Sequence, residues 1–324
     1  MKEKIRSLLY EQCGNYVSGQ EISRQLGISR TAVWKHIKSL QQNGYQIESG
    51  HRKGYCLVRQ QDLMLPEEIR RGMKTNWLGH EIVYMDSVPS TNVWAKNHLT
   101  KLKHGTLVLA EEQTQGRGRL GRSWESSKGE GIWMTLVLRP ELPMDEGAKM
   151  TQMAAAAMHL AVTAVTGLQV QIKWPNDLMV ADKKICGILT EMTGELTRLE
   201  CLLVGIGINV NQEKFSEDLV HTAASLHQLT GFKVERTLLL NSFLSEFEIL
   251  YEDYIVRHQY ERVLEIVRKH SCLLNRRVNV QRGESCLPAT ALQVAEDGRL
   301  EVQFDDGNRE LLSGGEVSVR CGKV

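Results

Sequence analysis

The sequence predicts a multidomain α+β protein with a small helical domain first, a larger domain of mixed strands and helices next, and an all-β segment last. Its length of 324 residues exceeds that of an ordinary single-core domain. Residues 1–60 contain ten Lys/Arg and four Glu, a net charge of +6, although the whole chain carries only +1. After residue 270 short alternating stretches are separated by Gly and Asp-Gly turns. We therefore predict domains at 1–65, 66–270 and 271–324.

Composition restricts the class of protein. Hydrophobic residues make up 42% and charged residues 24% of the chain, which is typical of a globular protein in water. The longest apolar helical stretch, "MAAAAMHLAVTAV", is shorter than the ~20 residues that cross a bilayer. The first residues do not resemble a signal peptide. Seven scattered cysteines without a CxxC pair argue against a disulfide scaffold or a zinc site, so we expect a cytoplasmic protein.

The first domain has the pattern of a helix-turn-helix. Residues 20–26 predict a short helix, Gly27 permits a tight turn, and Ser29 is placed to cap a second helix that ends near Leu40. The apolar stripe of that second helix consists of Val33, Ile37 and Leu40. The stretch "GYQIESGHRKGYCLV" then predicts two short strands with a basic tip, as in a wing. Residues 59–66 read as the junction to the next domain.

A winged helix of this kind binds DNA through two surfaces. The start of its second helix meets base edges in a major groove, and its wing touches phosphates. The predicted DNA contacts are Ser29, Arg30, Thr31, Trp34, Lys35 and Lys38 on the helix, and His51, Arg52 and Lys53 on the wing. The excess of positive charge in this domain also indicates a polyanionic partner. A solvated basic face, or a winged helix used for protein contacts, is the alternative.

The middle of the chain alternates strands and helices. The predicted strands are "EIVYMDSV", "GTLVLAEEQT", "GIWMTLVLRP", "VQIKWPND", "KKICGILTEMTG" and "RLECLLVGIGINVN". A helix is predicted to begin in "PSTNVWAKNHL", another covers 148–166 and stops at Gly167, and 235–270 is predicted to be helical. This mixture is typical of an α+β domain.

The loop "GRGRLGR" at 116–122 combines three glycines with three permanent cations. It matches G-x-G-x-x-G, but a dinucleotide-binding turn opens directly into a helix, whereas here Ser- and Gly-rich residues lead into a strand. A disordered RGG tract would be longer, and the P-loop motif G-x-x-x-x-G-K-[ST] does not occur. A flexible solvated loop is the alternative. We interpret the segment as a mobile loop that grips an anionic ligand through arginine forks.

Other polar clusters in this domain suit the same ligand chemistry. "KWPND" places Lys173, Asn176 and Asp177 around a turn, Lys184 begins an apolar strand, and Asn209 ends "GIGIN", where small residues let a flat ring approach the backbone. Each cluster has a simpler explanation. The lysines could be solvated, the aspartate could cap its turn, and the glycines could mark a bulge. Trp124 and Trp133 could be core residues.

Taken in order, "STN" (90–92), "GRGRLGRSW" (116–124), "KWPND" (173–177), "KKICGIL" (183–189) and "GIGIN" (205–209) resemble the biotin–protein ligases. With its winged helix, the chain is similar over nearly its whole length to the bifunctional bacterial members, which are also biotin operon repressors. The resemblance implies a class II synthetase-like α/β ligase domain and a C-terminal SH3-like β-barrel that assists ATP and carrier-protein binding. Leu120 stands where some relatives have arginine. A ligand sensor without turnover, or a lipoate-type ligase, is the alternative.

The resemblance implies that ATP and Mg²⁺ activate biotin as biotinyl-5′-AMP, which is then transferred to a lysine of the biotin carboxyl carrier protein of acetyl-CoA carboxylase. It implies three catalytic cations, Lys184, Arg117 and Arg119. The biotin-binding residues would be Ser90, Thr91, Asn92, Gln113, Gly116, Arg117, Gly118, Arg119 and Lys184. The nucleotide-binding residues would be Arg119, Arg122, Trp124, Asn176, Asp177 and Asn209, with Asp177 as a magnesium ligand. A ligand-promoted homodimer would bind the operator DNA of biotin genes.

Overall fold

The computed structural model describes residues 1–42, 44–50, 52–58, 62–143, 146–195, 198–283, 285–314 and 318–321. The chain forms two compact units, Met1–Glu68 and Ile69–Val324. The seven-stranded sheet and the five-stranded sheet described below both lie in the second unit. Among the described residues, no helix is both long enough and apolar enough to cross a bilayer.

The first unit is a three-helix winged fold. Its elements are α1 (Lys2–Glu11), α2 (Gly19–Leu26), α3 (Arg30–Gln42), β1 (Ile47–Gly50) and β2 (Gly54–Leu57), the two strands being antiparallel, and α4 (Pro66–Gly72) begins at its end. Ser18 caps α2 by accepting from the Glu21 backbone N–H at 3.0 Å. Gly27 ends the helix in the left-handed region, at φ 64°. The helix-turn-helix is therefore built from local signals that the sequence already carries.

Helix α1 was not predicted from the sequence, yet it completes the core of this unit. Its Ile5 and Leu9, one helical turn apart, pack with Ile22 of α2 and with Val33 and Ile37 of α3. Ser29 accepts a hydrogen bond from the Ala32 N–H at 3.1 Å, as expected for the cap of α3. The predicted apolar stripe of α3 is fully buried.

The second unit is organised around a seven-stranded sheet. The strands are β3 (Ile82–Met85), β4 (Thr106–Ala110), β5 (Gly131–Leu138), β6 (Gln171–Lys173), β7 (Asp177–Val180), β8 (Lys183–Glu195) and β9 (Arg198–Asn209). Their order across the sheet is β3-β4-β5-β9-β8-β7-β6, in which β3 pairs with β4 in parallel and all other pairs are antiparallel. The pairing of β5 with β9 brings residues about seventy positions apart side by side.

Helices cover this sheet. They are α5 (Thr91–Asn97), α6 (Gly147–Thr166), α7 (Leu226–Thr230), α8 (Arg236–Ile255) and α9 (Glu261–Lys269). The run Ala154–Ala157 of α6 is completely buried, and α6 packs against α8, α9 and β8. Gly167 ends α6 as predicted. The continuous helical region predicted at 235–270 is instead two helices, and His258 between them has a positive φ of 55°.

The C-terminal residues form a five-stranded antiparallel sheet. It contains β10 (Arg277–Arg282), β11 (Ser285–Val294), β12 (Leu300–Phe304), β13 (Arg309–Leu312) and β14 (Ser318–Cys321), in the order β13-β12-β11-β10-β14. Two of its turns reach the "KWPND" segment. The Trp174 indole N–H donates to the Gly298 carbonyl at 3.0 Å, and Gly314 packs so closely on Pro175 that a Cβ would lie 2.9 Å from the ring. The C-terminal sheet therefore supports the motif from behind.

Candidate active site

A cavity of about 600 Å³ opens in the second unit, where the predicted motifs meet. Nearly all the site residues predicted for the middle domain line it: Ser90, Thr91, Asn92, Gln113, Arg117, Gly118, Arg119, Arg122, Trp124, Asn176, Asp177, Lys184 and Asn209. Gly116 is buried beside the cavity, where a Cβ would lie 2.3 Å from the Trp124 carbonyl oxygen. These residues come from the start of α5, from strands β7, β8 and β9, and from the connecting loops, so the sheet brings together segments that are far apart in the chain.

The "STN" turn forms one wall and is held by Gln113. The Gln113 Oε1 accepts from the Thr91 backbone N–H at 2.9 Å and lies 3.1 Å from the Thr91 hydroxyl. The Gln113 amide nitrogen donates to Ser126 Oγ at 3.0 Å, and that hydroxyl donates to the Trp124 carbonyl at 3.2 Å. This chain of bonds connects the start of α5 to the loop that follows the arginine motif.

The Asn92 side chain is engaged entirely within the protein. Its Nδ2 donates to the Leu189 carbonyl at 3.1 Å and to the Glu191 carboxylate at 2.9 Å, while its Oδ1 lies 2.6 Å from the Thr135 hydroxyl. The glycine at 205 makes room for it, since a Cβ there would lie 2.3 Å from Oδ1. Asn92 thus holds the "STN" turn on β8 and β5.

The arginine loop folds as a small hairpin over the cavity. The Gly118 N–H donates to the Arg122 carbonyl at 2.8 Å, and the Trp124 N–H donates to the Gly116 carbonyl at 2.9 Å. A single 3₁₀ turn at its tip includes Leu120 at a positive φ of 56°. Arg117 and Arg122 are exposed along the hairpin. Their guanidinium groups are therefore accessible to an anionic ligand.

Arg119 differs from the other two arginines because it is partly buried and bonded. One of its guanidinium nitrogens donates to Asn176 Oδ1 at 2.9 Å, and the other donates to the Gly314 carbonyl. Burial lowers the pKa of Arg119, while the nearby Asp177 opposes that effect. Asn176 in turn donates to the Ile188 carbonyl at 2.9 Å. Arg119 thus joins the arginine loop to both the "KWPND" segment and the C-terminal sheet.

Lys184 lies at the centre of the charged groups. Its Nζ is 2.7 Å from Asp177 Oδ1 and 5.1 Å from the centroid of the Trp124 ring. Its backbone pairs with the segment after β9, since the Lys184 N–H donates to the Thr222 carbonyl at 2.8 Å and its carbonyl accepts from Ala224 at 3.1 Å. The lysine is consequently held in place by its main chain, and its ammonium faces the cavity.

Trp124 forms a wall of the cavity, although Trp133 is a fully buried core residue. The Trp124 indole packs against two glycines of neighbouring strands, Gly187 of β8 and Gly207 of β9. A Cβ would lie 2.4 Å from the indole Nε1 at Gly207 and 2.9 Å from the ring at Gly187. The sequence predicted that a flat ring could approach the backbone at "GIGIN", and in this structure the Trp124 ring does so, on a surface that Gly187 of "KKICGIL" extends.

Asn209 lies at the far end of β9 and is also engaged. Its Nδ2 donates to the Ala224 carbonyl at 3.3 Å, and its Oδ1 accepts from Gln212 at 3.1 Å. Within the described residues no group of three or more His, Cys, Asp or Glu side chains could hold a metal ion. A divalent ion here would depend on ligand oxygens and water in addition to Asp177.

Several site residues were missed by the sequence analysis. The cavity is also lined by Met134, Met179, Leu189, Phe215 and Leu219. Thr135, Ser126 and Glu191 hold the lining residues from behind. β5 is buried on both faces, so no alternation marks Thr135 in the sequence. Phe215 and Leu219 lie in a segment without regular periodicity.

In the first unit, the predicted DNA contacts that the structure describes are all exposed. Thr31, Trp34, Lys35 and Lys38 are exposed on α3, and half of the Trp34 side chain is accessible. The other exposed members are Ser29 and Arg30 at the start of α3 and Arg52 and Lys53 at the wing. Arg52 has a positive φ of 62°, as in a tight hairpin turn. His51 lies outside the described residues.

Two segments of the chain, one in each unit, match known protein families. Residues 2–56 match the HTH domain family, and residues 82–209 match the biotin/lipoate A/B protein ligase family. A bifunctional ligase/repressor BirA from Bacillus spizizenii is 38% identical over 309 residues, which cover 94% of this chain and 95% of that protein. The Escherichia coli BirA is 27% identical over 307 residues, covering 95% and 94%.

A solved structure of a biotin protein ligase also resembles this chain. The biotin protein ligase from Aquifex aeolicus, in complex with biotin and ATP, superposes with a TM-score of 0.67 at 26% identity, covering 75% of this chain and all of that one. Its fold is thus shared by most of the chain. Since sequence identity above 30% extends over nearly the full length of both proteins, the chain belongs to the BirA family of bifunctional ligase/repressors.

Proposed function

We propose that this chain is an ATP-dependent biotin–protein ligase that also acts as a biotin-responsive transcriptional repressor. The observation that carries the proposal is the convergence of the "STN" turn, the arginine hairpin, the "KWPND" segment and Lys184 on one cavity. A cavity of about 600 Å³ is within the range of small-molecule sites. The Aquifex ligase, which shares the fold, binds biotin and ATP.

The first step joins two anions. A carboxylate oxygen of biotin attacks the α-phosphorus of ATP, the new C(O)–O–P bond forms, and the bond to the β-phosphate oxygen breaks to release pyrophosphate. Such a step depends on charge neutralisation and alignment, and it needs no protein nucleophile. Five cations line the cavity: Lys184, Arg117, Arg119, Arg122 and Lys173. We assign Lys184, Arg117 and Arg119 to the place where the two anions would meet.

We assign Lys184 to the carboxylate and the α-phosphate. Its ammonium is paired with Asp177, so the two anions must compete with that carboxylate for it or share it. Arg119 is already held by Asn176 and Gly314, which orients its fork in advance. Arg117 is exposed and would close onto the ligand when the hairpin folds down. Closure would also protect an acyl-adenylate from water.

The remaining residues divide between the two substrates. Biotin would be held by Ser90, Thr91, Asn92, Gln113, Gly116, Arg117, Gly118, Arg119 and Lys184. The nucleotide would be held by Arg119, Arg122, Trp124, Asn176, Asp177 and Asn209. Mg²⁺ would enter with ATP and share the phosphate charge. Asp177 would be one of its ligands, which fits the preference of Mg²⁺ for one or two carboxylates together with phosphate oxygens and water.

In the second step the amine of a carrier-protein lysine attacks the acyl carbon of biotinyl-5′-AMP. An amide bond forms, AMP leaves, and the amine loses a proton. We propose the biotin carboxyl carrier protein of acetyl-CoA carboxylase as the acceptor, since an M. tuberculosis relative is named a biotin–[acetyl-CoA-carboxylase] ligase. The cytoplasm, where such carriers are made, is the proposed location.

The first unit would bind operator DNA of biotin genes. Its exposed α3 side chains would enter the major groove, while Arg52 and Lys53 would contact phosphates. We propose that ligand occupancy promotes pairing of two chains, which would place two winged helices on a two-fold operator. The three-part division at 1–65, 66–270 and 271–324 remains our proposal for the functional domains.

The experiment that tests the proposal measures biotin-dependent exchange of pyrophosphate into ATP, followed by labelling of a carrier domain. Exchange and labelling are expected with biotin, and lipoate should not compete at equal concentration. Absence of exchange in intact protein would favour a ligand sensor, and preference for lipoate would favour the other branch of the family. A gel shift on a biotin-operon promoter, with and without biotin and ATP, tests the repressor.

A further inference from the structure

A bulge in strand β8 brings Lys184 to the same face of the sheet as Asp177. The pairing of β7 with β8 shifts by one residue between Leu178 and Met179, so that Met179 pairs with Lys184. Unbroken pairing would put Ile185 opposite Met179, and the skipped Ile185 is fully buried instead. Side chains two positions apart on a strand share a face, so Asp177, Met179 and Lys184 all line the cavity. The backbone itself therefore sets up the ion pair between Lys184 and Asp177.

The Asp177 carboxylate lies beside two of the cations that we assign to the substrates. Its Oδ1 is 2.7 Å from the Lys184 ammonium, and both side chains are only partly exposed. The carboxylate is also close enough to Arg119 to oppose the lowering of the Arg119 pKa by burial. In the described part of the chain, the buried Oδ1 accepts no hydrogen bond of good geometry, so its contact with the ammonium is a charge pair. The protein thus places an anion of its own beside Lys184 and Arg119.

This ion pair opposes the binding of a second carboxylate at Lys184. An ammonium has three hydrogens and can donate to two carboxylates at once. However, a second carboxylate at the same ammonium would lie close to that of Asp177, and two like charges in a partly desolvated site repel each other. The repulsion falls when another cation engages Asp177, as we propose for the magnesium ion that enters with ATP.

We propose that Asp177 is a positioning residue that competes with the carboxylate of biotin for Lys184 and so weakens the binding of biotin alone. The inference rests on the proposed function, because the competing anion is the biotin carboxylate. A nucleotide complex that engages Asp177 would strengthen the binding of biotin. By linkage, biotin would strengthen the binding of that complex by the same factor.

The test measures the dissociation constant of biotin by titration calorimetry, without nucleotide, for the full-length wild type and for Asp177→Asn. The amide keeps the shape of the side chain and removes its charge, so biotin should bind about threefold to tenfold more tightly. Biotinol, in which a neutral CH₂OH group replaces the carboxylate, should bind both proteins equally. The gain for biotin should disappear when Asp177→Asn is combined with Lys184→Ala, because the ammonium that provides it is then missing.

The matched control is Asp182→Asn, since Asp182 is another carboxylate that lines the cavity, in the turn between β7 and β8, and this variant should keep the wild-type affinity for biotin. An equal gain in both variants would show a general effect of charge and overturn the proposal. Unchanged biotin binding in Asp177→Asn, or an equal gain for biotinol, would do the same.

The wild type alone decides the question if Asp177→Asn does not fold. Because Asp177 competes for the ammonium, the wild type should favour biotin over biotinol by less than about 30-fold. A larger preference would mean that the ammonium is fully available to biotin, which contradicts the proposal. If the wild type binds no biotin at all, the proposed function itself is refuted.

Discussion

Replacement of Lys184 by alanine tests the charge-neutralisation chemistry directly. The Lys184 ammonium lies 2.7 Å from a carboxylate oxygen and its side chain is only 31% exposed, so it can interact with anions in a partly desolvated site. Two unit charges 4 Å apart interact by about 4 kcal/mol at an effective dielectric constant near 20. Loss of one such donor from a transition state typically lowers the rate by about 10²–10³-fold. We expect that loss in kcat/KM for adenylate formation.

The same substitution should hardly change the free energy of unfolding. The ion pair with Asp177 is partly exposed, and pairs of that kind contribute about 1 kcal/mol or less. The structural bonds of Lys184 to Thr222 and Ala224 are made by its backbone, which alanine keeps. The melting temperature of Lys184→Ala should therefore stay within a few degrees of the wild type.

The assay is biotin-dependent exchange of labelled pyrophosphate into ATP, with thermal melting of each variant in parallel. The matched control is Lys183→Ala, which removes a neighbouring lysine whose Nζ donates to the Val220 carbonyl at 3.2 Å. Lys183→Ala should keep most of the exchange activity. Wild-type exchange by a folded Lys184→Ala protein would refute the assigned role, and an equal loss in both variants would mean that the effect is not specific to the cavity.

Three further predictions concern other parts of the molecule. Gly207→Ala would place a Cβ 2.4 Å from the Trp124 indole, so we expect at least a tenfold rise in KM for ATP, and an unchanged KM would show that this ring does not shape the nucleotide site. Burial, helped by His270, lowers the pKa of His159 to about 4. Between pH 6.5 and 4, His159 therefore binds a proton in the unfolded chain but stays neutral in the folded protein. The free energy of unfolding should fall as the pH is lowered through that window. The free energy of unfolding, measured with urea, should depend less on pH in His159→Gln than in the wild type. An equal pH dependence in the two proteins would contradict the prediction. Deletion of residues 1–65 should end DNA retardation in a gel shift and leave substantial ligation, and retardation by the truncated chain would contradict the winged-helix assignment.

Local signals allowed much of the architecture to be predicted. Caps and turns at Ser29, Gly27 and Gly167 lie where the sequence placed them, because each depends on the conformation of a few adjacent residues. The ordered motifs also identified the segments that line the cavity. Helix α1 and the break near His258 were not predicted, and α1 is stabilised by packing on α2 and α3.

The sequence by itself determined which kinds of side chain the site contains, namely arginines on a glycine hairpin, a lysine at a strand start and amides in turns. Only the tertiary structure decided which of them still face the cavity and which are already bonded to the protein. Asn92 and Asn176 line the cavity, and the structure adds that their amides are also bonded to Thr135, Glu191 and Arg119. The reason is physical: a buried polar group must find a partner, and that partner comes from strands whose adjacency only the folded sheet establishes.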